Sequence, residues 1–153
     1  MSLPQADTFM ETSINTEAAR RRPHSLQEVA QWGASPGEMD VFLREFLDTF
    51  YTEPEPACRA VMLRDEPPLT GSERANAYLA AVAEHLAQRN EIPVPAWVDG
   101  DARFLKLPFF PAGLESLKAI CLLESPAAFR RRLIFVGADP LYRPRRDQAG
   151  FGS

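Results

Sequence analysis

The chain has 153 residues, 45% of them apolar and 25% charged, with a net charge of −4. That composition excludes a fibrous or wholly disordered protein and suits a single domain around one core. No apolar run approaches the roughly 18 residues that span a bilayer, and Met1 to Asn15 lacks a charged-then-apolar signal layout, so the expected location is the cytoplasm.

Charge is divided along the chain. From Glu28 to Asp101 there are fourteen acidic residues against five arginines, whereas from Pro126 onward Arg130, Arg131, Arg132, Arg143, Arg145 and Arg146 face only Asp139 and Asp147. An acidic body argues against nucleic acid lying along the whole domain, because phosphate binding needs a positive face. The fourteen prolines cut the chain into short pieces, since each fixes φ and restricts the residue before it.

Residues 1–23 carry little apolar periodicity and read as a flexible leader, followed by a single helical domain over 24–142 and a flexible basic tail over 143–153. Ser25 is the expected cap of a first helix holding Leu26, Val29 and Trp32, with Glu28 as capping-box partner and Gly33 as its terminating glycine. Ser35, Pro36 and Glu38 open a second helix, on which Met39, Phe42, Leu43, Phe46, Leu47 and Phe50 form one stripe. Ala57 to Arg64 forms a third, with Ala57, Val61 and Cys58 inward. Thr70 and Glu73 read as a capping box for a fourth, running to about Arg89 with Ala75, Tyr78, Leu79, Val82 and Leu86 on one face.

Beyond it the chain changes character. Ile92 to Trp97 is an apolar, proline-stiffened extended segment, Asp99-Gly100-Asp101 makes a turn whose second aspartate caps a short helical piece, and Leu107 to Pro111 holds two phenylalanines between prolines. Such segments are expected to lie over the helices as a lid. Leu114 to Leu123 reads as a helix with Leu114, Leu117, Ile120 and Cys121 inward. Ser125 and Pro126 restart a shorter one, and Leu133 to Val136 is a brief extended run. The fold class is therefore mostly α: a bundle of short helices with proline-rich connections and at most a minor strand.

Chemistry-bearing motifs are scarce. His24, Cys58, His85 and Cys121 would be a zinc inventory, but they lie about thirty residues apart, whereas structural sites use close ligand pairs. Cys58 and Cys121 read as buried thiols of a reducing compartment. A Cys–His nucleophile pair built on either with His85 is a weaker alternative. No GxGxxG, GxxxxGK[ST], HExxH or CxxC occurs, and no cofactor, metal or catalytic residue is expected.

The strings Glu66-Pro67-Pro68-Leu69-Thr70-Gly71, Asn76 to Ala87, Pro93-Val94-Pro95-Ala96-Trp97, Arg103-Phe104-Leu105, Phe110-Pro111 and Ser125 to Phe129 resemble the C-terminal region of bacterial antitoxin-like proteins encoded beside a putative nucleotidyltransferase. The resemblance spans residues about 66–138 and rests on packing and turn residues. Ser25 to Tyr51 does not supply the N-terminal helix-turn-helix often found there, because the second helix bears Glu38, Asp40, Glu45 and Asp48. The resemblance implies a non-enzymatic module that binds a partner protein, such as the product of an adjacent gene. The residues expected at that interface are the lid aromatics Trp97, Phe104, Phe109 and Phe110, with Arg130, Arg131 and Arg132 as charged rim. Nucleic-acid association through the basic termini is the alternative.

Overall fold

A computed structural model describes residues 22–113 and 115–144. Among these, six α-helices form the scaffold: α1 Leu26–Trp32, α2 Pro36–Thr52, α3 Pro56–Arg64, α4 Glu73–Arg89, α5 Lys118–Glu124 and α6 Ala127–Arg130. Single 3₁₀ turns occupy Ala96–Asp99, Asp101–Arg103 and Glu115–Leu117. The fold is mostly helical, as the periodicity predicts.

Start signals act where expected in two helices. Ser25 accepts from Glu28 N at 3.1 Å, while the Glu28 carboxylate reaches one residue further back, to His24 N at 2.7 Å. Ser35 accepts from Glu38 N, and Pro36 takes the first position, where its missing N–H costs nothing. Met39, Leu43, Phe46, Leu47 and Phe50 are then buried on one side of α2.

Gly33 ends α1, but not by left-handedness, since its φ is −81°. A Cβ there would stand 2.7 Å from Met39 Cα, so glycine is required for α1 and α2 to approach each other. The left-handed position is at the end of α4, where Glu91 has φ 56° and Ile92 N donates to Ala87 O at 2.9 Å. That is the Schellman pattern with glutamate in glycine's place.

Helix α4 is the central post. Every residue from Leu79 to Ala87 is buried, not one face of it. Its many alanines let α3, α6 and the 3₁₀ turns at 96–103 close on it from several sides. Its cap is Ser72, which accepts from Ala75 N at 3.1 Å. Thr70, the expected cap, instead bonds Asn76 Oδ1 through both its N–H (2.8 Å) and its hydroxyl (2.9 Å).

Other expectations need correction. In α3 the inward residues are Met62 and Leu63, while Ala57, Cys58 and Val61 are exposed, a rotation of about one residue in a short helix. The helix expected over 114–123 is a 3₁₀ turn followed by α5, and of its apolar residues Cys121 alone is buried; Leu117 and Ile120 face outward, and Leu114 lies outside the described residues. Ser125 caps nothing: its hydroxyl donates to Ile134 O at 3.0 Å and accepts from Val136 N at 3.4 Å, a clasp across the α6 turn. Asp101 opens its 3₁₀ turn without a side-chain cap bond.

The brief run after α6 is extended. Leu133 turns with φ 64°, then Phe109 N donates to Leu133 O (2.8 Å) and Phe135 N to Phe109 O (2.9 Å), giving one parallel bridge between lid and C-terminal segment. Residues 1–23, expected as a flexible leader, and 143–153, expected as a flexible tail, fall mostly outside the described residues. Their described ends are held: Arg22 pairs with Glu45 at 2.9 Å, Pro23 is buried, and Arg143 grips Asp48 through Nε and Nη2 at 3.0 and 3.2 Å. Glu45 and Asp48 are thus neutralised from both ends of the chain, and Asp48 is buried, not part of an acidic outer face.

Candidate functional site

The lid closes over two wholly buried arginines. Arg103 donates to Asn76 O (3.2 Å), Pro67 O (2.5 Å) and Glu66 (3.1 Å), with Trp97 stacked on its guanidinium at 4.9 Å. Arg132 donates to Ala128 O (2.7 Å), Val98 O (2.8 Å) and Glu84 (2.8 Å), and lies 4.7 Å from the Phe104 ring. A buried charge is tolerable only when paired and hydrogen-bonded, and Glu66 and Glu84 with the carbonyls of Asn76 in α4, Ala128 in α6, Pro67 and Val98 meet that condition. Each arginine therefore staples an irregular segment to α4 or α6.

This placement corrects part of the expected interface. Arg132 has no surface to offer a partner, since it is 0% exposed. Arg131 bridges Glu84 (3.1 Å) and Asp99, so Asp99 is an ion-pair residue. Trp97 spends its indole N–H on Leu63 O at 3.0 Å, and Phe104 is covered by the two guanidinium groups. Arg130 is exposed but bonds its own turn at Leu123 O and Ser125 O.

Phe109 and Phe110 keep an outward role. Phe109 walls an open apolar groove of about 260 Å³ between α2 and α4, beside Met39, Leu43 and Tyr78, with Arg74 laid over its ring at 4.3 Å. Phe110 serves the other side of the lid: it stacks on Phe135 with ring centroids 5.3 Å apart, under Lys118. The lid and α5 also leave large apolar side chains in solvent. Leu123 is 80% exposed, Leu107 77%, and Leu117, Ile120 and Leu122 are exposed as well.

The remaining chemical candidates are scattered. Cys58 is exposed on α3 and Cys121 buried in α5, and neither thiol hydrogen-bonds to His85. Among the described residues no cluster of three His, Cys, Asp or Glu side chains stands ready for a metal, and no helix is long and apolar enough to cross a membrane. His85 faces a polar pocket of about 250 Å³ with Tyr51, Arg89 and Asp139. Its pKa is pushed below the ordinary value, first by burial and then by Arg89, with Asp139 opposing.

Sequence reading did not find Arg103, Glu84 or this pocket. An acid inside the otherwise apolar run Leu79 to Ala87 was the available signal for Glu84, because a charge in a buried helix demands a partner. The pocket had none, since its residues come from three segments more than thirty positions apart. Comparisons with protein-family models, with curated proteins and with solved structures gave no significant match for this chain.

Proposed function

We propose that the protein is a non-enzymatic interaction module that binds a partner protein through the outer side of its lid. The observation that carries this reading is helix α5, which buries Cys121 and leaves Ile120, Leu122 and Leu123 in solvent, with Leu117 in the preceding turn and Leu107 on the lid also exposed. Burying a large aliphatic side chain yields roughly 1.5–3 kcal/mol, so a short helix that forgoes this several times over favours a covering surface. Half-buried Phe110 and the cation Lys118 over its ring supply the residue types that serve as anchor and rim.

The resemblance of residues 66–138 to antitoxin-like proteins narrows the partner to the product of a gene encoded beside this one, which the module would hold in check. Co-expression of the two chains with the tag on the neighbour tests this, read as a stoichiometric complex on size exclusion and as relief of growth arrest. Leu123→Glu and Ile120→Glu are expected to abolish the complex while leaving the helical circular dichroism unchanged. Recovery of the wild-type chain as an unbound species, or as a homodimer through the same side chains, would remove the proposal.

A further inference from the structure

The pocket beside His85 is formed by the end of α2, the last turn of α4 and the segment 139–143. Most of its polar groups are spent within the protein. Tyr51 donates to Leu141 O at 2.8 Å, Arg143 is held by Asp48, and Asn90 accepts from Arg59 (2.9 Å) while donating to Leu86 O (2.7 Å). Three groups are not spent. Among the described residues Arg89 and Asp139 form no ion pair, and His85, only 7% exposed, makes no hydrogen bond; its ring meets only the Phe129 edge, 5.6 Å away. Its nitrogens are not among the sealed polar atoms of the described residues, so they open onto the pocket, where a seated molecule can bond them.

The unspent groups are of three kinds: one cation, one anion and one neutral donor–acceptor. Both charges act on His85 and on Tyr51, so they share the same small space. A simple anion on Arg89 would face the Asp139 carboxylate, and a simple cation on Asp139 would face the guanidinium. Each mismatch sets like charges against each other in the same pocket. A ligand with both charges avoids either mismatch, and the rings of Tyr51 and Tyr142 offer it apolar walls.

We propose that this pocket binds a small zwitterion of the α-amino-acid type, its carboxylate on Arg89, its ammonium on Asp139 and its polar body against His85. The site is independent of the exposed apolar side chains of α5 and does not rest on the partner-binding reading. It requires no bond to be made or broken.

The test is an NMR titration of the wild-type chain with each standard amino acid, following the His85 imidazole resonances. With two histidines in the chain, they are assigned by comparison with His24→Gln. Expected is a saturable His85 shift with at least one amino acid at or below about 1 mM. The N-acetyl and amide derivatives of that amino acid should each bind at least about tenfold more weakly, as should wild-type ligand to Arg89→Ala and Asp139→Asn. Both substituted residues are exposed and make no ion pair, so the variants retain the fold, checked by thermal melting. Absence of any His85 shift across the set would overturn the proposal, as would an N-acetyl or amide derivative that binds as well as its parent.

Discussion

Arg132 donates from Nη1 to Glu84 Oε1 across 2.8 Å, with the guanidinium wholly out of water and the carboxylate nearly so. Glu84 stands on α4 and Arg132 at the end of α6, so the pair ties the central helix to the C-terminal half. It is also the point where the lid is fastened, because the same guanidinium holds Val98 O and Phe104.

Removing one member of such a pair leaves an uncompensated buried charge. Glu84→Gln is expected to cost about 3 kcal/mol and Arg132→Met a comparable amount, whereas the double variant costs less than the sum. Urea unfolding midpoints of the four species check this; additive losses would show that the two side chains are not coupled.

Gly33 is needed for space. Gly33→Ala places a methyl against the Met39 backbone, which cannot yield as a side-chain tip would. A loss of about 1–3 kcal/mol is expected in thermal or chemical unfolding. Unchanged stability would mean that α1 swings away from α2 at no cost.

Glu91 is the opposite case, a left-handed residue with an exposed side chain and no need of a Cβ. Glu91→Gly should stabilise by about 1 kcal/mol, which for a domain of this size raises the melting temperature by a few degrees. Calorimetry decides it, and a lower melting temperature would count against the strain.

Stability should fall at both ends of the pH scale for identifiable reasons. His85 has a folded-state pKa below 6.5, depressed by burial and Arg89, so it contributes nothing above that value; as pH falls below 6.5 the unfolded chain takes up a proton that the folded chain resists. Tyr51 and Tyr78 are both raised to about 12, chiefly by desolvation, so the unfolded chain ionises first as pH rises through 10, and the folded form weakens until about 12. Unfolding midpoints across pH measure the total. His85→Asn should flatten the acid limb and Tyr78→Phe should soften the alkaline one.

Local signals determined where helices begin and which side of a long helix is apolar. Ser25, Ser35 and Pro36 act through bonds and φ values that span a few residues, and the stripe on α2 recurs often enough to define a face. Short elements escaped this reading. In α3 and α5 a few apolar residues fit more than one rotation, and the choice falls to what packs nearby: α3 turns Met62 and Leu63 inward, and α5 keeps only Cys121.

The arginine run shows the same division most sharply. Three consecutive arginines are equivalent as sequence, yet Arg130 lies in solvent on its own turn, Arg131 spans Glu84 and Asp99, and Arg132 is sealed beneath Phe104. Composition and periodicity determined the helical class and the acidic body, because those follow from interactions within one or two turns of chain. Which charges are internal staples, which apolar residues stay in solvent, and that His85, Arg89 and Asp139 share a pocket were decided by tertiary packing, because burial and charge pairing depend on neighbours far away in sequence.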